Sequence, residues 1–135
     1  MWLRALLLCN DVRFEVGGTM TLVGVFTDRI VVEPGDGPLV IPRLAIYSVI
    51  AGLTGITEIA WRQTLSEVGH VPGGPLVEGS EHHDREADEH RLVNILSPLA
   101  LPGPGRYQLA IDLATRHERS TIEHCFVIER ARPAE

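Results

Sequence analysis

The chain has 135 residues, of which 44% are hydrophobic and 22% are charged, and its formal net charge is −6. This length suits one domain with its own core, the apolar content excludes a disordered chain, and no apolar stretch reaches the roughly 18 residues of a membrane span. All twelve basic residues are Arg, scattered among eighteen acidic ones. We therefore expect neither nucleic acid nor a membrane as partner.

Apolar residues in the N-terminal half recur with a period of two, which indicates β-strands. Residues 5–9 are too few for the core of a signal peptide, and Arg4 interrupts that stretch. We therefore expect a first strand and a cytoplasmic protein. Gly17 and Gly18 predict a hairpin turn, because glycine reaches positive φ at low cost. The predicted elements are strands at 2–9, 12–16, 19–26 and 29–32, a turn at Asn10-Asp11, a loop at 33–38, and a strand at 39–50 broken near Pro42.

The C-terminal half has the clearest strand, at 106–113. Its apolar residues Tyr107, Leu109, Ile111 and Leu113 alternate with more polar ones, as a sheet with one buried face requires. Further strands are predicted at 56–65, 91–96 and 119–129, with a flexible polar loop around 66–90. Turn signals recur about every ten residues, and we find no amphipathic helix, repeat or linker. The prediction is a single all-β domain, 1–135: an antiparallel, immunoglobulin-like β-sandwich of about seven to nine strands.

Residues 80–90 combine three histidines with five carboxylates. Imidazole and carboxylate ligands suit divalent zinc, manganese, iron or nickel. On a helix, His82, Glu86 and His90 would align at i, i+4 and i+8, whereas on a strand His82, Asp84 and Glu86 would share one side. Such a helix would have almost no apolar face, so the competing interpretation is a solvated loop. A divalent-metal-binding protein or metal-dependent enzyme therefore stays as the alternative function.

The two cysteines, Cys9 and Cys125, stand near opposite ends of the chain and make no disulfide framework, so we expect reduced thiols. His124 falls on the apolar face of its strand with Phe126. We expect a core histidine bonded to a backbone carbonyl, or a bulge that shifts the register. Cys125 then points away from His124, so the imidazole cannot activate it as a nucleophile.

Catalytic and cofactor-binding motifs are missing from the chain: it has no nucleophile elbow, P-loop, dinucleotide fingerprint or C-x-x-C pair. We therefore expect a non-enzymatic module that binds another protein or assembles with itself. An exposed strand edge is the expected docking element, because its unpaired backbone groups can add a strand from a partner.

Two stretches near the start, ALLLCNDVRFE at 5–15 and GGTMTLVGVF at 17–26, form a strand ending in Cys and Asp, then an Arg, a Gly turn and a second strand. Ser97-Pro98 and PGRYQL at 104–109 fit the same pattern. The chain resembles a family of small bacterial proteins of unknown function. The resemblance implies a β-sandwich fold and a bacterial, cytoplasmic source, and it implies no activity.

Within that pattern, Cys9, Asn10, Asp11 and Arg13 cluster at the predicted first turn. Asp11 and Arg13 carry opposite charges two residues apart. We predict that they pair across the turn and stabilise the hairpin, or alternatively that they line a partner site.

Overall fold

The computed structural model describes residues 1–70 and 73–133, and these residues form strands, turns and loops without a helix. The all-β prediction is confirmed. Within the described ranges there is accordingly no helix of the length and apolarity needed to cross a membrane. The strands are β1 (Trp2–Phe14), β2 (Met20–Phe26), β3 (Arg29–Val32), β4 (Leu39–Ile41), β5 (Leu44–Ala51), β6 (Glu58–Glu67), β7 (Val77–His82), β8 (His90–Leu96), β9 (Leu99–Leu101), β10 (Gly105–Ala114) and β11 (Arg119–Arg130).

The strands form a β-sandwich of two sheets with a short two-stranded ribbon. Sheet I has the strand order β2-β1-β5-β8, sheet II has the order β3-β11-β10-β6-β7, and β4 pairs with β9. The eleven described strands exceed the predicted seven to nine, because β7 and the three-residue β9 were not expected and the strand predicted at 39–50 is divided at its predicted break into β4 and β5. β3 runs parallel to β11, a departure from the fully antiparallel prediction. It arises because the chain leaves β2 in sheet I and crosses to sheet II.

The main core lies between the two sheets and follows the predicted alternation. On β10, Tyr107, Leu109, Ile111 and Leu113 are each at most 1% exposed. Successive side chains of a strand point to opposite faces, so a period of two places all four on the same side. Sheet I contributes the facing residues of this core, which include Leu8, Leu44, Ile46, Ile50 and Leu92.

The predicted hairpin turn at Gly17-Gly18 is confirmed. These glycines adopt φ values of 91° and 81°, which residues with a Cβ rarely adopt. The Glu15 N–H donates to the Thr19 carbonyl over 2.8 Å and closes the turn. Strands β1 and β2 leave the turn as an antiparallel pair.

The predicted turn at Asn10-Asp11 is wrong, because β1 continues through both residues to Phe14. β1 lies inside sheet I, with β2 on one side and β5 on the other. Asp11 stands opposite Val23 of β2 within this ladder. Pairing with neighbouring strands therefore keeps two typical turn residues extended.

Part of the predicted loop at 66–90 is a strand, so that prediction was partly wrong. β7 pairs with β6 and forms one edge of sheet II. Gly79 of β7 lies under the ring of Trp61, and a Cβ added there would stand 3.1 Å from Cζ2 of Trp61. β7 lacks an alternating apolar pattern because much of this edge strand is exposed. Residues 71 and 72 of the predicted loop lie outside the described residues.

We predict that Leu109→Ala lowers the free energy of unfolding by about 2–5 kcal/mol, because it removes buried methyl groups and leaves a cavity. Urea unfolding monitored by tryptophan fluorescence measures the change. Val68→Ala is the control: Val68 is 44% exposed, so its loss should stay within about 0.5 kcal/mol. Equal losses in the two variants would contradict the packing described for β10.

Candidate functional site

Sheet I is apolar on both faces. Residues directly opposite each other on paired strands point to the same side. Leu7, Tyr47 and Val93 form one such row, on the side away from the main core. We call this side the apolar face. Its members are Trp2, Ala5, Leu7 and Cys9 of β1, Val25 of β2, Ala45, Tyr47, Val49 and Ala51 of β5, and Arg91, Val93 and Ile95 of β8.

The apolar face continues towards the hairpin tip. A second cluster of buried apolar residues, separate from the main core, contains Cys9, Val12 and Ala45, with Met20, Leu22 and Val93 packed against it. Val12 joins the side of Cys9 although it lies three positions further along β1, because the β1–β2 ladder is irregular at Asn10 and Gly24. Gly24 has a φ of 64°, and a Cβ there would collide with the Asn10 amide. We therefore include Val12, Met20 and Leu22 in the apolar face.

Burial along β5 extends to both faces of sheet I. Seven of its eight residues are buried, and Tyr47 is half-buried. A strand with one wet face would instead alternate between buried and exposed residues. At the margins of the apolar face, Trp2, Val25 and Ile95 are 56%, 49% and 37% exposed, so the margins are open to solvent, whereas Cys9, Ala45 and Ala51 within the face are at most 1% exposed.

The two outer surfaces of the sandwich differ in how many charged side chains they carry. Charge enters the apolar face at one end, where Arg91 lies on the edge strand β8 and Arg4 of β1 forms an ion pair across β5 with Glu89, just before β8. The outer surface of sheet II is polar: the Arg62 Nε donates to Glu78 over 2.9 Å, and the Thr121 hydroxyl donates to Asp112 over 2.6 Å. The sandwich therefore presents one wet side and one apolar side.

The expected docking element was an exposed strand edge. Among the described strands, β2 and β8 are the edges of sheet I, and β3 and β7 are those of sheet II. Charged side chains lie on β3, β7 and β8 but not on β2, and charge is a common means of blocking edge-to-edge pairing. β2 is, however, kinked at Gly24, so its edge offers only short regular pieces and borders the apolar face.

Asp11 pairs with Arg43 rather than with Arg13, so the predicted cross-turn pair is wrong. The Arg43 Nε and Nη2 atoms lie 2.9 Å and 2.8 Å from Oδ1 of Asp11. The Val12 N–H donates to the same oxygen over 2.9 Å. The hydrogen bond from Arg43, more than any other contact, lowers the pKa of Asp11 below its ordinary value. The pair ties β1 to the segment just before β5.

A groove of about 640 Å³ lies beside this ion pair. Asp11 and Arg43 stand among its lining residues, while Arg13 does not. Arg130 donates to the Gly37 carbonyl over 2.5 Å and anchors the 33–38 loop at the groove. The loop prediction is confirmed. The apolar part of the lining includes Phe26, Ile30, Val32, Pro38, Val40 and Ile41.

The His-rich segment is a strand end, a turn and a strand start, so the helix that would align His82, Glu86 and His90 is not formed. His82 and Glu86 are exposed. Backbone bonds hold the turn against residues 53–57, including His83 N–H to the Thr57 carbonyl over 2.8 Å. Among residues 1–70 and 73–133, no three or more His, Cys, Asp or Glu side chains are placed to hold a metal ion together.

His83, not His82, is the structural histidine of this segment, and it is 2% exposed. Its Nε2 lies 2.8 Å from the Ala87 carbonyl, and its Nδ1 lies 3.1 Å from Nδ1 of His90. His90 Nε2 lies 2.6 Å from Oε2 of Glu81. The Ala87 carbonyl and the Glu81 carboxylate can only accept hydrogen bonds. All three contacts are therefore hydrogen bonds when the rings of His83 and His90 together carry three protons. The chain of contacts closes the β7–β8 connection.

Asp88 organises the same connection from its other end. The Thr54 hydroxyl donates to Oδ1 of Asp88 over 3.1 Å. Backbone N–H groups, that of Gly52 above all, lower the pKa of the Asp88 carboxyl. The acidic character of residues 80–90 therefore serves at least partly to hold the neighbouring loop.

The remaining candidates are Cys9, Cys125 and His124. Both thiols are free; Cys9 is buried and Cys125 is exposed. Burial raises the pKa of the Cys9 thiol, which disfavours the reactive thiolate. His124 is half-buried and stacks on Phe126 with ring centroids 6.1 Å apart, so the ring packs on an aromatic partner instead of using the predicted backbone bond.

The apolar face, Arg43 and His83 were missed from the sequence. A signal for the face exists, because residues 44–51 are apolar at nearly every position and not only at alternate ones. Arg43 had no local signal, because its partner Asp11 is 32 residues away. His83 could have been separated from His82 only by knowing which side of β7 faces inwards.

No protein-family model matches the chain, and no curated protein matches it. The resemblance to a family of small bacterial proteins therefore stays a prediction. Function is inferred below from the geometry of the described residues.

We predict that His83→Ala lowers the free energy of unfolding by about 1–3 kcal/mol, because it leaves the groups on both sides of a buried ring unpaired. His82→Ala is the matched control and should stay within about 0.5 kcal/mol, since His82 is exposed. Urea unfolding at neutral pH compares them. A larger loss in the His82 variant would show that the exposed histidine has a structural role.

We also predict that Arg43→Gln raises the pKa of Asp11 towards its ordinary value. A lowered pKa in the folded state adds stability that is present above the unfolded pKa and is lost as the pH falls through the folded one. The wild type should therefore lose more stability than the variant on acidification below about pH 4. Carboxyl-carbon NMR titration and urea midpoints at two pH values test this, with Arg106→Gln as the control. An unchanged Asp11 titration in Arg43→Gln would refute the pairing.

Proposed function

We propose that this chain is a non-enzymatic β-sandwich module that binds protein through the apolar face of sheet I. One observation carries the proposal: an apolar surface spans this sheet from β2 to β8 and stays open to solvent at Trp2, Val25 and Ile95. Sheets with apolar side chains on both faces occur where both faces are covered. A contiguous exposed apolar patch is a usual mark of an interaction site.

The size of the face suits this role. β1 supplies a length of 13 residues, and the sheet is on average about three strands wide along it. At about 3.3 Å per residue and 4.8 Å per strand, the face covers roughly 600 Å². Ala45 and Ala51 are already at most 1% exposed in the single chain, so a partner would newly cover less than this outline, mainly at the exposed margins. Such an area suits a weak or transient complex.

Docking on the face explains why the outer side of sheet I carries apolar residues, which docking on an exposed strand edge would not require. An added strand would use backbone groups of β2, and the kink at Gly24 shortens the regular edge that it could follow. A partner that lies over the face and reaches β2 at its border would use both features. We therefore retain protein binding as the expected function and place docking on the face instead of the edge.

We predict that a photo-crosslinking amino acid at Val93, on the edge strand β8 of the face, forms protein adducts in a lysate of the source cells. The same group at Val31, which is 52% exposed on sheet II, should not. Adding Ile95→Lys to the protein that carries the crosslinker at Val93 should suppress the adducts, because it places a charge on the apolar surface that the partner covers. Mass spectrometry of the adducts identifies each partner by mass.

The control for surface charge is Val31→Lys combined with the crosslinker at Val93, which should leave the adducts intact. Adducts that are equally abundant from Val93 and Val31, or that survive Ile95→Lys, would overturn the proposal. Circular dichroism melting of each variant confirms that the domain is folded.

A further inference from the structure

We infer that His83 and His90 form a proton-binding site, in which one proton held between their Nδ1 atoms links the two sheets in a pH-dependent way. We call this contact the His83–His90 link. His83 follows β7, an edge of sheet II, and His90 begins β8, an edge of sheet I. The link therefore joins the sheets at one end of the sandwich, and it is independent of docking on the apolar face.

The outer contacts of the two rings decide which nitrogen atoms carry hydrogen. The His83 Nε2 lies 2.8 Å from the Ala87 carbonyl, which only accepts, so this nitrogen donates. The His90 Nε2 lies 2.6 Å from Oε2 of Glu81, and an ionised carboxylate also only accepts. A neutral imidazole carries one proton, so two neutral rings would use both of their protons in these outer contacts.

Two neutral rings would leave the central contact without a hydrogen atom. The two Nδ1 atoms lie 3.1 Å apart, and each would direct a lone pair at the other. The rings meet edge to edge at an interplanar angle of 65°, so no stacking offsets this repulsion. One additional proton turns the contact into a hydrogen bond, whereas a second would place two N–H groups head to head. The geometry therefore favours one additional proton on the pair.

The charge of this proton is balanced within the site. The His90 side chain is 14% exposed and contacts the Glu81 carboxylate, whereas His83 is buried and contacts only uncharged groups. Burying an unpaired charge is costly, so we place the imidazolium on His90. The proton rests on the ring rather than on Glu81, because imidazole is ordinarily the stronger base. The site is then neutral overall, and every ring nitrogen has a partner.

The charged side chains of the turn between β7 and β8 have other partners or are exposed. Asp84 accepts a hydrogen bond from the backbone N–H of Glu86, and Asp88 accepts one from a threonine hydroxyl. Glu89 forms an ion pair with an arginine of β1. Arg85 and Glu86 are exposed. These groups therefore do not bond to either ring.

The neighbouring strands direct apolar residues towards the site. On β6, Ile59 stands opposite Glu81, and on β5, Ile50 stands opposite His90. Both isoleucines are buried. Glu58 precedes Ile59 on β6 and therefore points to the opposite face of the sheet. Among residues 1–70 and 73–133, Glu81 is thus the one charged side chain that bonds to the pair.

Loss of the proton removes the central hydrogen bond, so the link opens as the pH rises. The unfolded chain has ordinary histidines, which release their protons above about pH 6.5. The stabilisation is therefore present below that pH, and it is lost as the pH rises from there to the pH at which the folded pair releases its proton. Over this interval the folding equilibrium constant should fall by up to about tenfold per pH unit, as linkage to one proton requires.

Nitrogen-15 NMR of the imidazole rings at neutral pH tests the proton directly, because imidazolium and the two neutral tautomers differ in their nitrogen shifts. We expect an imidazolium at His90 and a neutral ring protonated on Nε2 at His83. Glu81→Gln should make His90 mainly neutral, because it removes the balancing carboxylate. Glu78→Gln is the matched control on the same strand and should leave the wild-type pattern, since Glu78 pairs with Arg62.

Amide hydrogen exchange tests the opening of the link. The His83 N–H donates to the Thr57 carbonyl and the Leu53 N–H donates to the Asp88 carbonyl, so both amides report on this connection. At about pH 6.5, His90→Gln should exchange both amides about tenfold faster than the wild type, because a buried hydrogen bond is lost. This ratio should approach one as the pH rises and the wild type loses its own proton. Comparison at equal pH cancels the intrinsic pH dependence of exchange.

The control amide is that of Val68, which donates to the Arg106 carbonyl at the other end of β6. It should exchange equally in the two proteins, which shows that the rest of the domain is folded. Two neutral rings at neutral pH would overturn the inference, as would a His90 imidazolium that persists in Glu81→Gln. A ratio of exchange rates that is constant with pH would overturn the pH dependence of the link.

Elemental analysis of the purified chain separates a proton from a metal ion. We expect no metal that depends on His90. One equivalent of bound metal per chain that His90→Gln lacks would overturn the inference, because the metal ion would then occupy the place of the proton between the rings.

Discussion

The rest of the structure depends on one constraint, which is that sheet I is apolar on both faces. Inside, Leu8, Ile46 and Ile50 pack against sheet II and form the core of the sandwich. Outside, Cys9, Ala45 and their neighbours form a second apolar cluster. Sheet II covers only the inner face; on the outer one Cys9 and Ala45 are buried among their neighbours, while Trp2, Val25 and Ile95 stay exposed at the margins. The exposed margins of the outer face are the part of this domain at which we propose that a partner docks.

Sheet II differs from sheet I in having a polar outer surface. β10 alternates between buried and partly exposed residues along its whole length, and the outer surface of the sheet carries the Arg62–Glu78 pair. An exposed ion pair of this kind contributes little to stability. It does keep that surface hydrated and disfavours apolar association. The two outer sides of this small domain thus differ in polarity, so an association through apolar contacts would use the side of sheet I.

The sequence predicted those parts of the fold that depend on local chemistry. The alternation of 106–113 and the glycines of the β1–β2 turn each contain their own physical cause, and both predictions are confirmed. Predictions failed where distant residues decide the outcome. β1 stays extended at Asp11 because neighbouring strands hold it, and Asp11 takes its charge partner from Arg43. The number of strands was underestimated for the same reason, since β7 is a strand only because β6 pairs with it.

The candidate site was harder to predict than the fold, because it depends on which face each residue occupies. His82 and His83 are adjacent in sequence, but one is exposed and the other is 2% exposed. Only the pairing of β7 in sheet II decides between them. The apolar face carried a signal in composition, because β5 is apolar at every position but Ser48, but that run does not say whether the second face is covered from within the chain.

The irregularity at Asn10 and Gly24 connects the face with the groove. Beyond it, Val12 lies with Cys9 in the apolar cluster, and Asp11 lines the groove with Arg43. In a regular ladder the side chain of Val12 would point to the side opposite Cys9, and that of Asp11 would point onto the apolar face, because side chains alternate strictly along a strand. One local distortion, which the absence of a Cβ at Gly24 allows, therefore keeps a carboxylate off the apolar face and extends that face to the hairpin tip. The backbone at this point thus sets the length of the surface on which we place binding and keeps Asp11 off it.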